Sequence, residues 1–416
     1  MSPTILEHGN GLFDTHVTLD DVNLVIREQM KTESQLTLES QMEVIGDGNG
    51  FSSCVILITC DWSIPSDNLP QKMVLKIVSF IHMKSLVEKA EREGIFDISQ
   101  EEKEKMHGQF ENSILKMHNQ EIDFYNVLSH GNSETMLVPK LFFSNKFSES
   151  NRAKGFIGME YMEGSETRHT YQNCSVEQIQ PILKAVAYMQ ALTFSSSDEN
   201  LKTIEHGSGY CEAMRQMMGA QGMTGIFMHT KRQNPERFGA LVDRVEELSP
   251  KILDFEKVFN LNKYVGIPNN VYVHGDLWAA NIVWTTENGS TSARKVLDYQ
   301  LCHMGNPAED LIRCICSTLS GADRRENEQK ILEQFYENFV EAMGDKEAPY
   351  TFEQLKQSYR MFLPFGGLAL LPLFGPAVDV KLKFADEQEI QQYRDILAEK
   401  IECLLEDIEK YHLETV

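Results

Sequence analysis

Cysteine is sparse and scattered, eight residues at 54, 60, 174, 211, 302, 314, 316 and 403, with no Cys-x-x-Cys pair. That spacing excludes a zinc ribbon and gives no framework for a small disulfide-stapled fold. Cations are outnumbered, 39 Lys plus Arg against 62 Asp plus Glu, for a formal net charge of −23. An envelope that acidic repels phosphate backbones and anionic lipid, so nucleic acid and membrane surfaces are expected to be poor partners. No apolar run is long enough to span a bilayer. The most apolar stretch, Phe362 to Val378, is broken by Pro364, Pro372, Pro376 and three glycines, so no membrane insertion is expected. Met1 to Thr18 lacks the basic stretch and apolar run of a secretory signal. Internal repeats and low-complexity linkers are missing too. The expectation is a soluble chain in the reducing cytoplasm, where the sequons at Asn173 and Asn288 carry no sugar.

What remains is ordinary globular composition, 42% hydrophobic and 24% charged over 416 residues. That length predicts two lobes around separate cores. Thr18 and Asp20 offer capping oxygens for a helix near Asp20 to Met30. Met42 to Ile45, Cys54 to Cys60, Met73 to Val78, Leu137 to Phe143 and Phe156 to Tyr161 read as strands. A charged, helix-favouring stretch covers about 84–119, and a separate apolar-periodic helix follows over Glu121 to Leu128. From about residue 164 the chain turns helical. Ser175 and Gln178 fit a capping box for a helix to about Leu192. Further helices are predicted near 235–258, 308–319, 323–343, 351–363 and 386–411. Short strands are predicted at Val271 to Val273, Ile282 to Trp284 and Lys295 to Leu297.

Four pieces carry chemistry, and their order matters more than any one alone. GDGNGFSS at 46–53 lies between two strands, where Gly48 and Gly50, with Phe51 and Ser52, let backbone amides approach a polyanion. A glycine-rich hairpin turn would look the same, and no Gly-Lys-Ser/Thr of a Walker A loop follows. Lys76 sits inside the apolar strand VLKIV, so it either meets an anionic partner or lies on an edge facing water. Val271 to Trp284 reads VYVHGDLWAANIVW, a strand delivering His274, Gly275 and Asp276, with Asn281 five residues on. Phosphoryl transfer needs a carboxylate to orient and deprotonate the attacking hydroxyl, and oxygen ligands for magnesium. Asp276 suits the first role and Asn281 the second. Asp298, 22 residues after Asp276 at the end of an apolar strand, is where a second magnesium ligand is expected. Asp310, opening a helix in GNPAEDL, is placed to accept amides of the catalytic loop.

Taken together, the glycine loop, strand lysine, HGDLWAAN and VLDYQ resemble the protein-kinase-like fold in its small-molecule branch. The pattern is similar to the choline and aminoglycoside phosphotransferase superfamily, and within it to the ecdysteroid-kinase-like (CHK kinase-like) family in its nematode branch. The resemblance runs from about residue 40 to the end. It implies an α+β fold with a small five-stranded N-terminal lobe (1–163) and a larger, mainly helical C-terminal catalytic lobe (164–416). It implies Asp276 as catalytic base, Asn281 and Asp298 as magnesium ligands, and Lys76 on the α- and β-phosphates of ATP. Met159 to Met162, with Glu160 and Met162, would form the adenine-binding hinge. A helix glutamate should pair with Lys76; Glu121 is the first choice, with Glu111 and Glu91 as alternatives. Asp298-Tyr299-Gln300 in place of Asp-Phe-Gly, and no Ala-Pro-Glu segment, argue against protein substrates.

The implied activity is ATP- and magnesium-dependent transfer to a hydroxyl of a small molecule, sterol-like or amino-alcohol, with no protein partner indicated. The alternative is a catalytically silent nucleotide- or small-ligand-binding protein on the same fold. Met214, Met217, Met218, Met223 and Met228 would suit an adaptable acceptor wall or plain core. Trp278 could stack on a substrate or pack beneath its loop.

Overall fold

Alternation along one strand shows how the first part of the chain is layered. In the computed structural model, residues 3–46, 53–81, 100–207, 209–375 and 386–415 are described. They fall into two units, 1–126 with 139–163, and 127–138 with 164–416. The first unit contains α1 (Leu19–Met30), β1 (Gln41–Val44), β2 (Ser53–Thr59), β3 (Lys72–Val78), all but the last two residues of α2 (Gln100–Leu128), β4 (Leu141–Asn145) and β5 (Phe156–Glu160). The strands form one antiparallel sheet ordered β1-β2-β3-β5-β4. On β3, Met73, Leu75 and Ile77 enter a core shared with Val22, Val25 and Ile26 of α1. Val78 belongs to the other face and packs with Ile114 and Leu115 of α2. Strand side chains alternate, so Lys76 lies on the α2 face. With helices on both faces, β2 needs no polar side, which is why Ile56, Leu57 and Ile58 are all buried.

α1 starts at Leu19 behind the expected Thr18 cap, but the carboxylate that completes the box is Asp21 and not Asp20. Thr18 Oγ1 accepts the Asp21 amide, and the Asp21 carboxylate accepts the Thr18 amide. Two expectations are corrected. The stretch leading to Leu128 is not two elements but one helix, α2, from Gln100; residues 82–99 lie outside the described residues. β4 begins at Leu141 rather than 137, because Leu137 is left-handed (φ 53°) and its carbonyl accepts the Val296 amide within the second unit.

The second unit holds β6 (Ser165–Thr167), α3 (Val176–Leu192), α4 (Asp198–Gly207), α5 (Tyr210–Met217), α6 (Ala220–Gln233), α7 (Pro235–Ile252), α8 (Phe255–Phe259) and α9 (Leu261–Val265). It continues through β7 (Val271–Val273), β8 (Ile282–Glu287), β9 (Ser290–Val296), β10 (His303–Gly305), α10 (Glu309–Thr318), α11 (Gly321–Met343), α12 (Phe352–Leu370) and α13 (Glu387–Thr415). Two small antiparallel sheets, β6-β8-β9 and β10-β7, lie among these helices. The kinase-like α+β plan is therefore present: a five-stranded sheet with helices, then a mainly helical unit. α12 runs past Pro364, beyond its expected end near 363. Its Gly366 and Gly367 let neighbours come close, since a Cβ there would meet Ile312 of α10 at 2.9 Å and Ile408 of α13 at 2.8 Å. α4, α5 and α6 were not expected: each is short, and α6 carries Gly222 and Gly225 inside it, so helix formation there leans on tertiary packing.

Gly158 on β5 tests the sheet. It pairs with Leu75 on one side and Phe143 on the other, and a Cβ would sit 2.2 Å from the Phe143 ring. Gly158→Ala should destabilise the protein by about 1–3 kcal/mol through overpacking. The expected result is a lower urea midpoint at unchanged slope; an unshifted midpoint would show that the ring yields without cost.

Candidate active site

The site in the second unit is built from one strand end. β7 is wholly buried, and after Val273 the chain turns sharply at Gly275, φ 80°. A Cβ there would lie 2.2 Å from the Leu301 carbonyl oxygen, so the turn requires glycine. Turning strands the amides of His274 and Gly275, and Asp310 on α10 accepts both, at 2.8 and 3.0 Å. Burial pushes the Asp310 carboxyl up to about 6, against the pull of those two amides. His274 Nδ1 accepts the Asp276 amide at 3.1 Å, so the Nε2 facing the Leu297 carbonyl at 2.9 Å is the donor.

These contacts present Asp276. Its Oδ1 accepts from Arg313 Nη2 at 2.5 Å and its Oδ2 from Asn281 Nδ2 at 3.1 Å. Asn281 Nδ2 also donates to the Asp276 carbonyl at 2.8 Å, closing the loop on itself. Burial raises the Asp276 carboxyl to about 6; Arg313 opposes this and the Asp298 charge adds to it. The third residue arrives by register. β8 and β9 pair Ile282 with Val296, and the Leu297 amide donates to the Asn281 carbonyl at 2.8 Å. Asn281 thus sits opposite the residue before Asp298. The hairpin turn is Asn288-Gly289, both at positive φ, the two-residue connection that matches strand twist. Asp298 itself is left-handed (φ 69°, ψ 61°), a conformation costing a non-glycine residue on the order of 1–3 kcal/mol.

Among the described residues no group of three or more His, Cys, Asp or Glu side chains is arranged to hold a metal. Magnesium does not require one, because it takes one or two protein oxygens and completes its shell with phosphates and water. The donor set fits. Among the described residues the Asn281 side chain bonds only through Nδ2, with Oδ1 left to accept, and Asp298 brings a carboxylate to the same hairpin end.

Several supporting residues were not foreseen. Arg313 lies three positions beyond Asp310 on α10, a helical neighbour legible once Asp310 is placed. Ser317 Oγ accepts the Ala279 amide at 3.2 Å. Lys400, fully buried on α13, donates to the Ser317 and Thr170 carbonyls at 2.9 and 2.7 Å; burial pushes its pKa down to about 7. Trp278 packs rather than projects, 8% exposed and edge-on to His169. Met214, Met218 and Met223 are core, whereas Met217 and Met228 are exposed.

The other candidates belong to the first unit. Lys76 Nζ lies 2.8 and 3.0 Å from the two carboxylate oxygens of Glu121, and both side chains are buried. Glu111 instead approaches Arg152 at 3.5 Å, and Glu91 lies outside the described residues. Glu160 ends β5, its amide donating to the Lys140 carbonyl and its carboxylate accepting the Lys140 amide; Met162 follows two residues on. Gly48, Gly50, Phe51 and Ser52 lie outside the described residues. Before them Gly46 is at φ 74°, and the Ile45 amide donates to the Val55 carbonyl.

A profile of the DUF1679 family, described as "Uncharacterized oxidoreductase dhs-27", matches residues 5–416. The chain belongs to this family. The "Uncharacterized kinase-like protein D1044.1" of Caenorhabditis elegans is 26% identical over 255 residues, 59% of this chain and 62% of the relative. The "Uncharacterized oxidoreductase dhs-27" of the same organism is 24% identical over 357 residues, 83% of this chain and 41% of the relative. The chain thus spans less than two thirds of either relative. Similar solved structures include aminoglycoside phosphotransferases and ethanolamine and choline kinases. The choline kinase from Cryptosporidium parvum Iowa II is 10% identical, with 90% of this chain and 88% of that one covered and a TM-score of 0.40. No helix among the described residues is long and apolar enough to cross a membrane.

Asp310→Asn should loosen the loop, because its Nδ2 would face one of the two amides as donor against donor. An unsatisfied buried donor costs about 1–3 kcal/mol, so the His274 and Gly275 amides should exchange with deuterium about one to two orders faster. Unchanged exchange would mean the loop is held elsewhere.

Proposed function

We propose that this chain is an ATP- and magnesium-dependent phosphotransferase acting on a hydroxyl of a small molecule. The observation that carries the reading is Asp276, a carboxylate gripped at both oxygens on a loop that Asp310 clamps. A base held this way needs no reorientation when a hydroxyl arrives, and it accepts the proton as the oxygen attacks phosphorus. Asn281 and Asp298 would hold magnesium, through the side-chain amide oxygen of the first and the carboxylate of the second. Bound there, the ion would neutralise charge on the transferring phosphates. In the first unit Lys76, oriented by Glu121, would contact the α- and β-phosphates of ATP. The loop with Gly48, Gly50, Phe51 and Ser52 would cover the phosphates, and backbone near Glu160 and Met162 would receive adenine.

The word oxidoreductase in the family description attaches to a relative of which the chain spans 41%. Dinucleotide sites use a parallel sheet with a glycine-rich turn opening a helix, whereas the five-stranded sheet here is antiparallel throughout. Phosphoryl transfer therefore fits these residues better than hydride transfer. Placement with the ecdysteroid-kinase-like proteins is part of the same proposal and rests on HGDLWAAN and LDYQ. So is a cytoplasmic location, supported by eight free cysteines.

The test is transfer of labelled γ-phosphate from ATP and magnesium into fractionated small-molecule extracts. Asp276→Ala should lower turnover by about 10²–10⁴-fold, leaving ATP affinity within a few-fold, since a base acts in the transition state. Joint loss of nucleotide binding would remove Asp276 from that role. A wild type that binds ATP yet transfers nothing would leave a silent nucleotide-binding protein. Asp298→Ala should abolish magnesium-dependent nucleotide binding, and Lys76→Met should weaken productive phosphate placement. Unchanged magnesium dependence in the first variant, or full activity in the second, would overturn those assignments.

A further inference from the structure

Asp310 has a neighbour with a parallel task. Glu309 opens α10; its Oε1 accepts the Asn306 amide at 2.7 Å, and its Oε2 lies 3.1 Å from Nε2 of His303. Nδ1 of the same ring lies 2.9 Å from the Leu301 carbonyl oxygen. His303 is buried, and the Tyr210 ring lies flat against it, centroids 3.7 Å apart and 10° from parallel.

Both ring nitrogens therefore face oxygens that only accept, a carbonyl and a carboxylate. A neutral imidazole has one N–H, so either tautomer would set a lone pair against an oxygen. The imidazolium satisfies both, and the stacked phenol face favours its charge. Burial opposes the charged ring, but the charge and hydrogen bond of Glu309 outweigh it, and the His303 pKa stands above its ordinary 6.5. Asp310 acts in the same direction. The other ionisable groups around the ring are Arg313 of α10 and Tyr210 and Cys211 of α5, and burial keeps the Tyr210 phenol neutral. β7 sets Val273 opposite His303, and α4, which packs on β10, keeps Lys202 exposed.

The carbonyl that His303 holds belongs to two loops at once. Leu301 ends the single 3-10 turn Tyr299–Leu301, directly after Asp298, which the Cys302 amide closes on the Tyr299 carbonyl at 3.0 Å. The same Leu301 oxygen is the group that a Cβ on Gly275 would meet at 2.2 Å. Consecutive acids of α10 thus hold the two loops, Asp310 through amides and Glu309 through an imidazolium.

We propose that His303, an imidazolium shared between Glu309 and the Leu301 carbonyl, is a positioning residue for Asp298, and that rising pH loosens the turn by removing its proton. The hold is complete below pH 6.5 and fades as pH climbs through the raised value of the folded ring. What Asp298 does rests on the phosphotransferase reading above; the protonation of His303 and the closure of the turn do not.

The test starts with imidazole NMR of the histidine-labelled full chain, where the His303 signals are those that His303→Phe removes. Their titration midpoint should lie above 6.5. Glu309→Gln should bring it below 6.5, because the new amide can accept from Asn306 and donate to a neutral Nε2 while Nδ1–H still meets Leu301. That variant keeps every hydrogen bond, so it carries the test should His303→Phe fold poorly. Across the wild-type titration the exchange protection of the Cys302 amide should fall about tenfold, and in Glu309→Gln it should stay level. Affinity for ATP with magnesium should weaken several-fold over the same range while magnesium-free affinity holds, a split that a purely structural role would not give. A wild-type midpoint at or below 6.5, Cys302 protection indifferent to the titration, an unaltered response in Glu309→Gln, or magnesium-dependent affinity indifferent to a loosened turn would each overturn the inference. The expected NMR and exchange with no nucleotide bound at any pH would sink the phosphotransferase reading and leave the His303 switch standing. Magnesium-dependent ATP binding beside a neutral His303 would do the reverse.

Discussion

One carboxylate holds the loop from His274 to Asn281 in shape. Asp310 is almost wholly buried, a position that penalises an ionised acid, and accepting two backbone amides from one turn offsets that penalty. Those amides exist because Gly275 takes a left-handed turn that no side chain would fit. The turn in turn sends His274 to the Leu297 carbonyl and Asp276 to Arg313 and Asn281. Helix α10 therefore contributes twice, its first turn fixing backbone and its second fixing the carboxylate. Removing the clamp would release every later contact in that series, whereas losing Asn281 would not release the clamp. The dependence runs one way.

Much of this was legible because the chemistry is compressed into short segments. HGDLWAAN and the strand-borne Asp298 put the proposed base and both metal-ligand candidates within 23 residues, and local register alone brings Asn281 and Asp298 to one hairpin end. Asp310 was legible for the same reason, a carboxylate opening a helix after a glycine-containing turn. The sheet could be read from apolar runs, yet Leu137 to Phe143 was misjudged. Composition cannot reveal that Leu137 bends away and bonds elsewhere. α2 was divided because a charged stretch followed by an apolar-periodic one looks like a change of element, although a long helix can change its surroundings along its length. α4 to α6 were missed for a different reason: they are short helices following one another closely, held by a few buried side chains such as Ile204, Met214 and Met223 rather than by a long apolar stripe. Arg313 and Lys400 escaped notice because a lone cation on a helix gives no sign of which carbonyl or carboxylate it will reach.

The buried charges share a logic that stability does not explain. Replacing a buried ion pair with apolar residues is often neutral or stabilising, so Lys76 with Glu121, and Arg313 with Asp276, are poor sources of folding energy. Lys400 goes further, a buried ammonium set against two carbonyls, one of them on the residue whose hydroxyl holds the Ala279 amide. What these groups supply is placement. Each fixes a side chain or loop that would otherwise sample several arrangements, and the proposed phosphoryl transfer would depend on placement more than on covalent participation by the protein.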